Sequence, residues 1–379
     1  MQFLEETKRF IFNNDKGKTE IMKMEFTRKK REKKRQERPE ITVKKGKIGY
    51  TDSYKYMGDQ YDTSGKNMCK IEKKMEKSKF IASEVKRQGT YARVGEADTS
   101  TRMLLLEVVV KPTLLYNTET WVSITKDEMG KINQVHYEVL KRVFEQKHST
   151  IYYGILLETG YWPFSYVIVY KRLMFFHHLF HSEERRIARK VVRNQMEGIG
   201  KGKTWYDGVE EWLVKLELEK EEEEIIKYRK SEWKAKVKDQ LNKWVKKEMA
   251  EQKSRMKKLR FTNMNGKQEY VEKCKMEQVR KIMKVRLNMT ELKANFKGKH
   301  NETICSACEV EEETTEHVIR CPEYQRLTQH TLNMTTEEEG HELVNKMDDL
   351  TWLINAGEEF EKIEETRKWL IGREKRTIY

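Results

Sequence analysis

Proline and glycine are scarce in this chain of 379 residues, which contains only 4 Pro and 19 Gly. So few breaks, together with abundant Lys, Glu and Met, favour long helices with solvated faces. The length is sufficient for two or three domains. We therefore predict a mainly α fold, in which a small β-containing part precedes a long helical region.

Cysteines and long apolar runs are also few. The 5 Cys are an odd number and unevenly placed, which argues against a secreted disulfide framework. The most apolar region, residues 155–170, contains Glu158 and Pro163 and is better explained as core than as a membrane span. The first ten residues are charged from Glu5 onward, unlike a signal peptide. We expect a reducing compartment, the nucleus or the cytoplasm, and no membrane partner.

Positive charge is in excess, with 77 Lys+Arg against 62 Asp+Glu and a net charge of +15. The balance predicts an anionic partner, most simply RNA or DNA, although charge alone does not separate nucleic acid from a membrane surface. Basic residues concentrate at 28–38 and at 171–195. The candidate phosphate contacts in them are Arg28, Lys29, Lys30, Arg31, Lys33, Lys34, Arg35, Arg185, Arg186, Arg189 and Lys190.

The run at 28–38 has two interpretations of equal weight. It is a nuclear localisation signal or phosphate-contacting arm, or it is a solvated loop. Trp205, Tyr206 and Trp212 likewise could stack on bases, but their helical spacing is more typical of core residues.

Composition and periodicity divide the chain into five parts. Alternating residues around 41–58 predict strands with Gly46 in a turn, and helical periodicity begins near Asp62. Residues 205–260 predict two long charged helices. The predicted parts are a β-hairpin region at 1–60, a helical domain at 61–197, long charged helices at 203–262, a helix with a Cys/His cluster at 268–332, and a helical acidic tail at 333–379.

Apolar spacing predicts the buried faces. Near Pro112 we expect one inward stripe, consisting of Leu104, Leu105, Val108, Val109 and Leu115. Further along, the predicted core positions are Leu140, Val143, Phe144, Leu173, Phe176, Leu179 and Phe180.

The strongest motif is Cys305-x2-Cys308-x8-His317-x3-Cys321. Thr314 is a predicted N-cap of a short helix that carries His317, so that His317 and Cys321 can face the Cys305–Cys308 turn. Three thiolates and one imidazole form a closed tetrahedral Zn²⁺ site, which is structural rather than catalytic. The alternative, buried small side chains, is weaker for four such residues this close together. Cys69 and Cys274 stand apart and are better explained as ordinary thiols.

Four further segments carry a family resemblance. These are NNDKGKTEIM at 13–22, YKYMG at 54–58, VVVKPTLLYNTETW at 108–121 and KRLMFFHHLF at 171–180. In this order, and followed by the Cys/His cluster, they resemble the C-terminal part of the reverse transcriptase of non-LTR (LINE-type) retrotransposons. Two departures are Met57 in place of Leu, and Asn117 where the family usually has Gly.

The resemblance implies an end of the palm at 1–60, a thumb-like region at 61–197 and a CCHC zinc finger. It places Lys18 near the phosphates of an incoming nucleotide, although Lys16 competes for this role. The aromatic-x-Asp-Asp box that binds the catalytic metal ions is not found, since the Asp348–Asp349 pair follows the finger and lacks the aromatic residue. No catalytic residue is therefore assigned, and Mg²⁺ would be needed only by a polymerase core.

Three functions follow as hypotheses. The first is a portion of an RNA-directed DNA polymerase that binds RNA or DNA but is inactive alone, with the upstream reverse transcriptase portion or the ribonucleoprotein of the element as further partners. The second is a non-enzymatic, zinc-dependent nucleic-acid-binding protein derived from a retroelement. The third, a nuclease, is disfavoured because no convincing carboxylate pair is found in the second half of the chain.

Overall fold

The computed structural model describes residues 20–22, 40–43, 46–56, 58–63, 67–91, 99–122, 124–199, 204–299, 302–329, 332 and 339–377. Over these ranges the chain is mostly helical, which confirms the predicted class. The named strands all lie before residue 63. Among the described helices, none has both the length and the apolar character that crossing a bilayer requires.

Short strands form two small sheets. They are β1 Glu20–Ile21, β2 Ile41–Val43, β3 Gly46–Tyr50, β4 Ser53–Tyr56 and β5 Asp59–Asp62. The β3 strand pairs with β1 in parallel and with β2 in antiparallel orientation, whereas β4 and β5 form a hairpin of their own. Gly46 begins β3 opposite Val43 rather than lying within the turn. Gly58 has φ +85°, a conformation that favours glycine in the tight turn of the second hairpin.

The helices follow in a long series. In the first half of the chain they are α1 Met68–Tyr91, α2 Thr99–Leu105, α3 Lys111–Leu115, α4 Lys126–Val143, α5 Tyr152–Thr159, α6 Phe164–Phe180 and α7 Ile187–Met196. In the second half they are α8 Trp205–Lys215, α9 Glu222–Ile225, α10 Lys230–Arg255, α11 Glu269–Lys273, α12 Met276–Arg286, α13 Thr315–Arg320, α14 Pro322–Thr328, α15 Glu339–Lys346 and α16 Leu350–Thr377.

Two clusters of buried apolar side chains form the core. The larger one contains residues from Ile71 in α1 to Ile363 in α16. The smaller one is built from α6, α7, α8, α9 and the first half of α10. All seven core positions predicted between 140 and 180 are buried. The predicted domain boundaries stay a prediction, and the larger cluster draws side chains from both sides of them.

Helix α10 shows why a strongly charged segment still packs. Its buried residues recur at every fourth position, which places them along one side of the helix while lysines and glutamates occupy the others. They are Trp233, Val237, Leu241, Val245 and Met249. The prediction of two long helices at 205–260 is wrong, because the chain turns at Leu216 after an α8 of 11 residues and only α10 is long.

The segment around Pro112 differs from the predicted apolar stripe. Residues Leu106–Val110 form a π-helical turn between α2 and α3. Proline lacks an amide hydrogen and its ring collides with a carbonyl in the preceding turn, and the wider turn accommodates it. The π-helical turn contains one residue more than an α-helical turn, so the inward face rotates to Leu106, Val110 and Leu114. Of the predicted stripe, Leu115 is buried, whereas Leu104 and Val108 are 60% and 56% exposed.

Two of the segments singled out by sequence lie against each other. Lys171 of α6 donates to the Leu115 carbonyl and pairs with Glu119 at 2.7 Å. Arg172, which is 4% exposed, donates to the carbonyls of Trp121 and Trp205. Burial lowers the pKa of Arg172 to about 10. The Lys-Arg pair of the 171–180 segment therefore fixes the loop that ends the 108–121 segment.

A buried ion pair connects the distant parts of the larger core. Arg286 of α12 and Glu158 of α5 are both 0% exposed, and Arg286 Nε lies 2.7 Å from Glu158 Oε2. Arg286 also donates to the Met347 carbonyl, and its Nη2 is 3.3 Å from Gln268 Oε1. Through these contacts one guanidinium joins α5, the 263–268 linker and the turn between α15 and α16.

We expect Arg286→Met to destabilise the fold by about 3–5 kcal/mol, because it leaves the Glu158 carboxylate buried without its cation. Arg280→Met is the matched control, since Arg280 is exposed on the same helix and its loss should cost less than about 0.5 kcal/mol. Urea unfolding followed by circular dichroism measures both. Equal midpoints for the two variants would contradict a central role for the ion pair.

Candidate metal centre and basic cavity

The segment before the second pair of metal ligands folds into a compact turn. Ile304 and Glu312 form an antiparallel bridge, and Cys305 N donates to the Glu311 carbonyl at 2.7 Å. Between them the chain turns back on itself, with Glu309 in the left-handed conformation at φ +57°. The Ala307 amide lies 3.4 Å from Cys305 Sγ. The turn thus holds Cys305 and Cys308 on one side and directs a backbone donor at the Cys305 sulfur.

The other two ligands come from α13 and from the residue that follows it, whereas the spacing predicted both on one face of a helix. Thr314 caps α13 by accepting from His317 N at 3.1 Å, which confirms the predicted N-cap. The helix ends at Arg320, and Cys321 is extended with ψ 116° because it precedes Pro322. His317 stays on the first turn of α13, and Cys321 lies at the junction with α14.

The four side chains converge to the geometry of a metal site. Their donor atoms all lie within 4.8 Å of one another. Cys305 Sγ is 4.0 Å from Cys321 Sγ, and Cys308 Sγ is 3.3 Å from His317 Nε2. A tetrahedral ion with bonds of about 2.3 Å to sulfur requires donor separations of about 3.8 Å. The cluster can therefore hold a metal ion with little movement.

Burial and a hydrogen bond determine the environment of two of the ligands, Cys305 and Cys321. Cys305 and Cys321 are 1% and 0% exposed, so the donors are shielded from water. The hydrogen bond between them raises the pKa of the Cys305 thiol and lowers the pKa of the Cys321 thiol. A thiolate is the form that binds metal, so these thiols release their protons when an ion binds.

Glu311 is a candidate partner of the metal ligands that the sequence reasoning missed. Its Oε2 lies 3.1 Å from His317 Nδ1 and 3.1 Å from Arg320 Nη2. A carboxylate at Nδ1 holds the proton on that nitrogen and leaves Nε2, the atom facing Cys308, for the metal. A signal existed in the sequence, since Glu311 lies six residues before His317 in the acid-rich loop, but its pairing depends on how the turn folds.

The two cysteines outside the motif are still best explained as ordinary thiols. Cys274 is buried, Cys69 is partly buried, and neither belongs to the cluster. His300 precedes Cys305 by five positions and is, by sequence, a substitute ligand for the cluster; it lies outside the described residues.

The predicted nucleic-acid contacts fall into two groups. Lys18 and the basic run at 28–38 lie outside the described residues, so their role stays a prediction. Of the second group, Arg185, Arg186 and Lys190 are exposed around the start of α7. Arg189 instead turns inward at 8% exposure and donates to Glu222 Oε1 at 2.6 Å. Its guanidinium is therefore engaged within the protein.

The structure also places the aromatic residues that could stack on bases and the Asp348–Asp349 pair. Trp205 and Tyr206 are buried at 7% and 6%, which confirms them as core residues, and Trp212 is partly buried. Asp348 and Asp349 lie in the turn before α16 rather than on a helix face. Asp348 accepts from Asn263 at 2.8 Å, and Asp349 accepts from Trp352 N at 3.0 Å. Both aspartates thus have structural partners.

A lysine-lined cavity of about 600 Å³ lies where the β4–β5 hairpin meets α1 and α3. Its five lysines are Lys55, Lys70, Lys73, Lys74 and Lys77. Those of α1 follow the spacing i, i+3, i+4 and i+7, which brings them to one face of the helix. The sequence reasoning missed this face, although MCKIEKKMEKSK contains the spacing, because the cavity forms only when the hairpin docks on the helix.

Two of these lysines are held firmly at the base of the cavity. Lys74 Nζ lies 3.2 Å from the buried carboxylate of Asp59, and Lys70 Nζ lies 4.0 Å from the centre of the Tyr61 ring. Burial lowers the pKa of both lysines. Lys55, Lys73 and Lys77 are exposed at the rim. The lining, with Asp59 as its one carboxylate, carries an excess of positive charge and favours an anion.

The chain matches no protein-family model, and neither the curated proteins nor the solved structures contain a match to it. The chemistry of the site therefore rests on the geometry of the residues themselves.

We expect the purified chain to bind one divalent metal ion, and Cys308→Ser or His317→Ala to abolish this stoichiometric binding because three donors no longer close a tetrahedron. Cys69→Ser is the matched control, since it removes a thiol outside the cluster and should leave binding unchanged. Elemental analysis of protein prepared without chelators gives the metal content per chain. A metal content that is unaffected in His317→Ala would show that the ion binds elsewhere.

Proposed function

We propose that this chain is a nucleic-acid-binding protein segment, related to the C-terminal part of non-LTR retrotransposon reverse transcriptases, that holds RNA or DNA by the phosphate backbone. The observation that carries the proposal is the lysine-lined cavity. Phosphates are the commonest polyanionic partners of such lysine sets, and neutralising them releases counterions, which drives association at low salt.

The arrangement of the cavity supports an extended ligand rather than a small enclosed one. Its lysines lie along one face of α1, from Lys70 to Lys77, and Lys55 extends the row onto the β4–β5 hairpin. Residues i and i+7 on a helix are about 10 Å apart. That distance is longer than the separation of successive phosphates in a nucleic-acid strand, so one sugar–phosphate backbone can contact several lysine ammonium groups at once.

The positions of the family-like segments support the relationship. The 171–180 segment binds the end of the 108–121 segment through Lys171 and Arg172, so the two segments form one structural unit. Asn117 occupies the position where the family usually has Gly, and its φ is +59°. Glycine and asparagine are the residues that most readily adopt this left-handed conformation. The departure therefore preserves the backbone geometry.

For the metal centre we propose Zn²⁺ in a structural role. Three thiolates and one imidazole are the donor set that Zn²⁺ takes in tetrahedral protein sites, and four protein donors leave no open position for a substrate. The chain's own residues then orient and shield the site, with Glu311 on His317. In this proposal the ion fixes the fold of residues 303–321, and the lysines, not the ion, contact nucleic acid.

The test is a salt titration of binding to mixed-sequence RNA and DNA. The logarithm of affinity should fall linearly with the logarithm of salt concentration, by about 0.9 per duplex phosphate contacted. The double variant Lys73→Gln/Lys77→Gln should weaken binding to all sequences alike and reduce the slope by about 2, because two phosphate contacts are lost.

The double variant Lys362→Gln/Lys368→Gln is the matched control. It removes the same charge from α16, far along the chain, and should leave the slope within experimental error of the unchanged protein. Binding that is absent at low salt would overturn the proposed function. If both double variants reduced the salt dependence of affinity equally, the effect would come from net charge and not from a site at the cavity.

A further inference from the structure

A buried carboxylate lies behind the metal ligands. Glu313 is 0% exposed and accepts four hydrogen bonds. The donors are Ser306 N at 3.1 Å, Tyr324 Oη at 2.9 Å, Lys293 N at 2.8 Å and Arg367 Nε at 2.8 Å. Burial alone would raise the pKa of this carboxyl, but the Lys293 amide and the Arg367 guanidinium outweigh it, so the pKa lies below its ordinary value.

Two of these hydrogen bonds connect Glu313 to the two parts of the chain that carry the metal ligands. Ser306 lies in the turn between Cys305 and Cys308, and its amide is fixed by Glu313 Oε1. Tyr324, which is 0% exposed, belongs to α14, the helix that begins directly after Cys321. One carboxylate oxygen thus holds the turn and the α14 side of the cluster at a set separation.

The other oxygen of Glu313 reaches the C-terminal helix. Arg367 of α16 is 6% exposed, and its Nε lies 2.8 Å from Glu313 Oε2. Around this ion pair, Phe360 and Ile363 of α16 belong to the same apolar cluster as Val318, Ile319 and Cys321. The metal-binding residues and α16 therefore share both a buried ion pair and a hydrophobic core.

We propose that Glu313 and Arg367 are positioning residues of the metal site, so that binding of the ion and docking of α16 stabilise each other. This inference rests on the proposed zinc site. It follows from linkage, because a contact present only when the ligands are in place and the helix is docked must favour both to the same extent. The metal-binding unit then includes Arg367 of α16, which lies beyond the predicted end near residue 332.

The first experiment measures zinc affinity by competition with a chelator of known strength. Arg367→Met should weaken affinity by about 10-fold, the lower end of the range found when a direct partner of a metal ligand is removed, because Arg367 acts on the ligands only through Glu313. Lys362→Met is the control from the same helix, since Lys362 is largely exposed and pairs with Glu359, and it should change affinity less than twofold.

A double variant distinguishes a positioning role of Arg367 from a loss of zinc affinity caused by general damage to the fold. Arg367→Met leaves the Glu313 carboxylate buried and unpaired, whereas Glu313→Gln/Arg367→Met leaves no unpaired charge. If the ion pair acts through the position of Glu313, the double variant should recover part of the zinc affinity, because the amide of Gln can still accept from Ser306 and Tyr324. Additive losses in the two substitutions would contradict the inference.

The reciprocal experiment uses the unchanged protein and remains decisive where Arg367→Met fails to fold. Hydrogen exchange is compared with zinc bound and after chelation. The amides of α16 should lose protection along with those of 303–321, while those of α1 should not change. The inference would be overturned if protection in α16 did not change on chelation, or if the zinc affinity of Arg367→Met lay within twofold of the unchanged protein. Either result would leave the proposed zinc site standing. A chain that binds no zinc at all would overturn the proposed zinc site as well.

Discussion

The buried contact between Arg286 and Glu158 is the constraint on which the arrangement of the larger core depends. Both charges are fully buried, so neither can be satisfied by water, and each fixes the other in place. The guanidinium also holds Gln268 and the carbonyl of Met347. These contacts join helix α5, the 263–268 linker and the turn before α16, and the same apolar core contains Cys305 and Cys321.

The sequence allowed the local features of the site to be predicted. The Cys/His cluster and the Thr314 cap depend on residues fewer than twenty positions apart, so helix geometry and metal chemistry were sufficient. The apolar positions of α4 and α6 were also correct, since their periodicity is regular. Around Pro112, only Leu115 of the predicted inward stripe is buried, because a π-helical turn shifts the register by one residue and leaves no periodic signal.

Features that depend on distant residues could not be predicted. Arg189 looked like a phosphate contact in a basic run, but Glu222 pairs with it from the next part of the chain. Glu313 looked like one of several surface glutamates beside the metal ligands, whereas Arg367 lies 54 positions away and makes it a buried acceptor. The lysine row of α1 became a cavity only through docking of the β4–β5 hairpin. In each case the partner, not the residue type, determines the role.

We propose separate tasks for the two sites: the metal centre stabilises the fold of residues 303–321, and the basic cavity presents charge to a ligand. Lysine acylation with and without bound nucleic acid, mapped by mass spectrometry, tests this division most directly. The account predicts that Lys73 and Lys77 are protected at low salt and regain reactivity at high salt, while Lys362 of α16 reacts equally throughout. Protection that avoids the cavity, or no protection at all, would contradict it.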